Sequence, residues 1–152
     1  MPKKDKYFVG YIFNDKSREK LKRYLKSLKL DNPINVNRSH ITIINTPLLV
    51  PEKEQGSIYK YNAKPERVMV RGKELKLYDY NDKKVLALDV DCKKCTDFQK
   101  EIYKKFMKNR KYENYNPHIT LDYDYKKKNI PRGSISPKSI LLQTKQIVVN
   151  KH

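Results

Sequence analysis

Two of the three histidines in this 152-residue chain stand in the same four-residue frame, His40-Ile41-Thr42-Ile43 and His118-Ile119-Thr120-Leu121. Each frame opens an apolar run that reads as a strand. Residues two apart on a strand share a face, so each run displays an imidazole beside a hydroxyl. Splitting a phosphodiester needs a base to take a proton from the nucleophile and an acid to give one to the leaving oxygen. Histidine serves both needs near neutrality, with an unperturbed pKa of about 6.5. The nonbridging oxygens gather charge in the transition state, and threonine hydroxyls aimed at them lower the barrier. The residue types therefore nominate His40 and His118 as an acid-base pair, with Thr42 and Thr120 as phosphate-binding donors. This chemistry demands no metal or other cofactor. Asp122 and Asp124 follow the second frame, but the first has no acidic neighbours to complete a metal centre. The plainer alternative is two surface strands with threonine present for its β-propensity.

Positioning both frames at one site requires a repeat, and the chain carries one. Tyr7 to Phe13 is an apolar, aromatic strand candidate whose first residue precedes His40 by 33 positions; Val85 to Asp91 is a second, and Val85 precedes His118 by 33. Each half also holds a helix candidate between its strands. The first, Asp15 to about Lys29, carries Leu21, Tyr24, Leu25 and Leu28 at helical spacing against a basic face, with Asn14 or Asp15 as cap. The second, about Thr96 to Asn109, carries Phe98, Ile102 and Phe106, with Thr96 or Asp97 as cap. Strand, helix and His-x-Thr strand recur in one order, which predicts pseudo-twofold symmetry and a shared cleft.

Elsewhere the elements are plainer. Thr46 to Pro65 reads as an irregular crossing rich in Pro and polar residues. Glu66 to Val70 and Leu75 to Tyr80 read as two strands about a turn at Arg71-Gly72-Lys73, and Asn81-Asp82 turns into the Val85 strand. Lys126 to Gly133 reads as a flexible basic loop able to close over a substrate. Ile135 to Val149 supplies two short closing strands divided by Gln143 to Gln146. The whole is expected to be a single domain over residues 1–152, with lobes at about 7–46 and 85–125, a middle segment at 47–84 and C-terminal strands at 135–150.

Charge narrows the partners. Thirty-five Lys and Arg against seventeen Asp and Glu give a formal net charge of +18, a field that concentrates anions such as nucleotides. Twelve tyrosines and no tryptophan add rings able to stack on bases, although most are expected in the core. No apolar run reaches the roughly 20 residues of a membrane span, and no signal peptide is visible, so the expected location is the cytoplasm. Cys92 and Cys95 form a lone C-x-x-C at a strand-to-helix join and read as structural or incidental thiols.

Paired H-x-T-h frames (h apolar), each after a strand-helix unit, resemble the 2H phosphoesterase superfamily. The resemblance runs from Tyr7 to about Tyr125. It implies an α+β, LigT-like bilobal fold in which two antiparallel sheets line a central cleft with helices outside. It also implies metal-independent cleavage of phosphodiesters, with His40 and His118 as acid and base. The opening YFVGYIF, the stretch from Tyr115 to Tyr123 and the compact middle segment are similar to the phage anti-CBASS nucleases. That likeness implies a substrate among cyclic di- and trinucleotide messengers, such as cyclic GMP-AMP, and evasion of bacterial immunity in the host cytoplasm. It further implies aromatic contacts to the bases, for which Tyr11 and Tyr78 are the matching positions. Ile140 to Val149 holds no counterpart of an acidic residue at that family's site. Two other readings stand beside this one: a 2H enzyme acting on linear RNA, 2′-5′ oligoadenylate or 2′,3′-cyclic phosphate ends, and a non-catalytic nucleotide-binding module. All three need an anionic nucleotide partner; none needs a membrane or an obligate protein partner.

Overall fold

The computed structural model describes residues 5–108 and 115–151. In chain order it holds β1 (Lys6–Phe13), α1 (Asp15–Leu28), a 3₁₀ turn (Val36–Arg38) and β2 (His40–Pro47). There follow the short α2 (Glu52–Gln55), a second 3₁₀ turn (Gly56–Tyr61), β3 (Met69–Tyr80), β4 (Lys83–Asp91) and α3 (Lys93–Phe106). The chain ends with β5 (His118–Asp122), a third 3₁₀ turn (Pro137–Ser139) and β6 (Leu141–Lys151).

The strands run in one hydrogen-bonded ring, β1-β2-β5-β4-β3-β6, and every neighbouring pair is antiparallel. That order is symmetric about the β2–β5 seam. Each His-x-Thr strand has the opening strand of its own half beside it, and β6 and β3 extend the two sides until they meet. The expected pair of antiparallel sheets is thus present as two halves of a ring.

Helix α1 forms where the periodicity puts it. The Asn14 side chain accepts from the Ser17 N–H at 2.8 Å, while Leu21, Tyr24, Leu25 and Leu28 are buried. Ser17 fastens the helix to the sheet, its Oγ accepting from the Gln143 N–H at 2.7 Å. Helix α3 begins three residues before the expected Thr96. Cys92, not Thr96 or Asp97, is its cap: Sγ accepts from the Cys95 N–H at 3.1 Å, and the two cysteines are joined as a disulfide rather than left as thiols. The expected end at Asn109 lies outside the described residues.

Two other expectations are corrected. Met69 to Tyr80 is one strand, with no turn at Arg71-Gly72-Lys73. Gly72 instead marks a close approach of two backbones, because a Cβ there would lie 2.1 Å from the Pro137 carbonyl oxygen, and its N–H donates to Ile140 O at 2.8 Å. Leu141 to Lys151 is likewise one strand, since pairing with β1 on one side and β3 on the other carries it through Gln143 to Gln146. The turn at Asn81-Asp82 is as expected, both residues having positive φ as a two-residue hairpin requires.

The core fills from the faces opposite the motif side chains. Ile41 and Ile119, the middle residues of the two frames, are both 0% exposed and pair directly across the seam. Truncation of Ile119 to alanine is expected to cost about 2–5 kcal/mol, read as a lower denaturant midpoint. Asp122, at the end of β5, is buried, and burial holds its carboxyl above the ordinary range. The folded protein therefore binds that proton more tightly than the unfolded chain, so the ionised group costs stability at neutral pH, and the cost shrinks as the pH falls below the folded value and is gone below the unfolded one. Asp122→Asn keeps an acceptor for the Asp124 N–H; it is expected to raise the melting temperature at neutral pH and to give no gain in acid.

Candidate active site

The seam sets the geometry. With Ile41 opposite Ile119 in antiparallel register, His40 faces Thr120 and His118 faces Thr42, all four on the side away from the core. The histidines are diagonal neighbours on that face. Two cavities flank the seam and repeat the crossed pairing. One, of about 600 Å³, is lined by His40 and Thr120 with Ile34, Asn35, Arg38 and Tyr123. The other, of about 480 Å³, is lined by His118 and Thr42 with Tyr78, Gln99, Tyr103 and Tyr115.

Both imidazoles are held alike. His40 Nδ1 lies 2.8 Å from Arg38 O and His118 Nδ1 lies 2.9 Å from Asn116 O, in each case the carbonyl two residues upstream. A carbonyl can only accept, so Nδ1 carries the hydrogen and donates, leaving Nε2 as the nitrogen free for proton transfer. Two different local devices present these carbonyls. Before His40 it is the Val36–Arg38 turn, capped by the Asn35 side chain accepting from Asn37 N–H at 3.0 Å. Before His118 it is Asn116-Pro117, with Asn116 biased to extended backbone by the proline that follows and Pro117 O accepting from Val90 N–H at 3.1 Å.

The ring neighbours break the symmetry. Phe8 meets the His40 ring edge-on, at 5.1 Å and 87°, whereas Tyr78 stacks on the His118 ring at 5.1 Å and 27°. Tyr78 is itself anchored, its hydroxyl donating at 2.7 Å to Asp89, a carboxylate only 5% exposed that also pairs with Lys76 at 3.5 Å. Burial first, and the Asp89 hydrogen bond and charge second, push the Tyr78 phenol well above its ordinary value, so it remains a donor. Asp89 stands opposite His118 in the β4–β5 register, which brings carboxylate, phenol and imidazole into one cluster.

Tyr11 does not belong to the site. It pairs with Ile41 across β1 and β2 and so shares Ile41's inward face, 3% exposed and packed on Phe98 at 5.7 Å. Burial raises its phenol too, as expected of a core tyrosine. The aromatic of β1 that reaches a histidine is Phe8. It does so because Gly10 has no side chain: a Cβ there would lie 2.7 Å from Phe8 Cζ. Strand alternation in YFVGYIF separates Phe8, Gly10 and Ile12 from Tyr7, Val9, Tyr11 and Phe13, the one sequence signal that distinguishes these faces. Tyr78 does line the His118 cavity, beside Tyr103 and Tyr115, and Tyr115 is fixed by donating to Thr42 O at 2.7 Å.

The seam parts beyond its single ladder pair. Ile43 O, past that pair, is taken by the side chain of Gln99 from α3 at 3.1 Å. The parting opens the His118 cavity between β2 and Tyr115. Among the described residues no three His, Cys, Asp or Glu converge as a metal site would, and no helix is long and apolar enough to cross a membrane.

Comparison with solved structures agrees with this architecture. Escherichia coli LigT complexed with 3′-AMP superposes with a TM-score of 0.63 at 12% identity, covering 98% of this chain and 88% of that one. A structure described as a phosphoesterase gives 0.64 at 11% identity, covering 97% and 88%, and a Thermus thermophilus protein gives 0.63 at 12%, covering 95% and 86%. At these identities the likeness is one of fold, the LigT-like α+β fold. A search of the curated proteins returns no match. The family model described as anti-CBASS protein Acb1 matches residues 5–148. With nearly the whole chain matched by that model, and with paired His-x-Thr strands on a ring of LigT-like fold, this protein belongs to the anti-CBASS Acb1 family.

Proposed function

We propose that the chain is a metal-independent phosphodiesterase that splits 3′-5′ linkages in cyclic di- and trinucleotides and so blunts bacterial CBASS immunity on behalf of a phage. The observation that carries this reading is the matched pair of imidazoles, each with Nδ1–H bonded to a carbonyl, each Nε2 free, and each opposed by the other motif's threonine. Membership of the anti-CBASS family supports the choice of substrate class.

One histidine, neutral, takes the proton of a ribose 2′-hydroxyl through Nε2. The 2′-oxygen attacks the adjacent phosphorus, and the bond to the 5′-oxygen breaks. The other histidine, protonated, gives its Nε2 proton to that oxygen. The products are a 2′,3′-cyclic phosphate and a 5′-hydroxyl, and the two histidines have exchanged protonation states. Water entering with the roles reversed opens the cyclic phosphate and restores both. Thr42 and Thr120 donate to the nonbridging oxygens, one from each side of the phosphate. Tyr78, Tyr103 and Tyr115 form the aromatic wall on which one base packs, while Tyr123, 56% exposed beside His40, offers a ring to the other. The +18 net charge draws the anionic substrate in.

Chromatography of cyclic GMP-AMP, with 2′-5′ oligoadenylate and a cyclic-phosphate-ended RNA as competitors, tests the reaction. Turnover of the cyclic substrate is expected to persist in EDTA. His40→Ala and His118→Ala are each expected to lower kcat about 10²- to 10⁴-fold, and full activity in both would overturn the mechanism; binding without turnover would leave only a sequestering module. Asp89 acts through Tyr78 on the orientation of His118. Asp89→Asn is expected to lower kcat about 10- to 100-fold with little change in KM, as a small misplacement of a reacting group does, while leaving the melting temperature within a few degrees. A rise in KM with kcat unchanged would mean that Asp89 serves the base-packing role of Tyr78 and not the placement of His118.

A further inference from the structure

One face of α1 carries Arg18 and Lys22 and continues through Lys26 to Lys29 just past the helix end. At 1.5 Å per residue the stripe is about 17 Å long, with a cation at nearly every turn. It forms one wall of a groove of about 640 Å³, whose other wall is the segment from Pro33 to Asn37. Ile34 and Asn35 of that wall also line the His40 and Thr120 cavity, where Arg38 adds a further cation. The groove and that cavity therefore adjoin at Ile34 and Asn35.

Its cations are largely uncommitted. Among the described residues Arg18 pairs only with Asp15, at 3.8 Å, and its Nε is buried without a partner. Lys22, Lys26, Lys29 and Arg38 have no ion pair there. The two acidic residues of the groove, Asp15 and Glu19, sit at the helix start. A row of cations, of which Lys22, Lys26 and Lys29 have no ion pair among the described residues, with an apolar floor of Leu25, Leu30 and Ile34 suits a chain of regularly spaced phosphates. A cyclic dinucleotide cannot use it, since its two phosphates close on each other and cannot both meet the histidines and follow the stripe.

We infer that this groove is a track for the phosphates of a linear single-stranded oligonucleotide. One linkage of the strand lies at His40 and His118, and several nucleotides beyond it run along α1. This rests on the phosphodiesterase reading and extends it to linear strands longer than two nucleotides. Lys22, Lys26 and Lys29 carry the added affinity, and Arg38 bridges the groove to the cleft.

Binding separates the track from the chemistry. Fluorescent oligouridylates of two, four and eight nucleotides are titrated by anisotropy against His40→Ala/His118→Ala protein, which does not turn them over. Affinity is expected to rise with length. Adding Lys22→Glu, Lys26→Glu and Lys29→Glu is expected to weaken the eight-nucleotide strand at least about tenfold, to abolish the length dependence, and to lower the slope of log affinity against log salt by roughly 2, since each phosphate contact to a single strand contributes about 0.7. The comparison protein carries the same change of charge at the exposed Lys53, Lys60 and Lys83, away from the groove, and is expected to keep the length dependence. Equal weakening by both triple variants would reduce the effect to net charge, and an eight-nucleotide strand bound no better than a two-nucleotide one would overturn the track. Turnover of cyclic GMP-AMP by the unaltered protein, scored in parallel, shows separately whether the phosphodiesterase reading stands.

Discussion

Everything in the cleft depends on one backbone pairing, that of Ile41 with Ile119 where β2 meets β5. Both side chains are fully buried, and side chains alternate along a strand, so burying this pair forces His40, Thr42, His118 and Thr120 onto the other face. A slip of one residue would turn the imidazoles into the core and expose two isoleucines. The hydrophobic effect thus fixes the register of the motif side chains, and the antiparallel sense crosses them, each histidine facing the threonine of the other half.

The symmetry is one of outcome rather than of means. A capped 3₁₀ turn on one side and an Asn-Pro step on the other deliver a carbonyl to Nδ1 at nearly the same distance. Beyond the imidazoles the halves diverge. His40 meets an apolar ring admitted by a glycine, while His118 lies against a phenol tied to a buried carboxylate. The two imidazoles are thus given unlike surroundings.

How much of this the sequence discloses follows from the range of each interaction. The His-x-Thr frames, the 33-residue offsets and the apolar stripe of α1 are local or periodic, and they are legible. Tyr11 is misplaced because its face depends on pairing with a strand thirty residues away. Gly72 looks like a turn residue, but what needs it is the Pro137 carbonyl, which contact in space alone brings near. The anchoring of Tyr78 by Asp89 is equally silent, since it joins two ordinary strand residues through the β3–β4 hairpin. The cap of α3 is missed for a chemical reason: a disulfide sulfur does the work usually done by Ser, Thr, Asp or Asn.

The meeting of β6 with β3 has a consequence beyond shape. An open sheet ends in a row of unsatisfied amide and carbonyl groups that any extended peptide can zip onto, the usual start of aggregation. Here the outermost strands of the two halves bond to each other from Met69 to Arg71 and Leu141 to Gln143, and the ring has no terminal strand. The topology thereby removes the edge that surface lysines would otherwise have to guard.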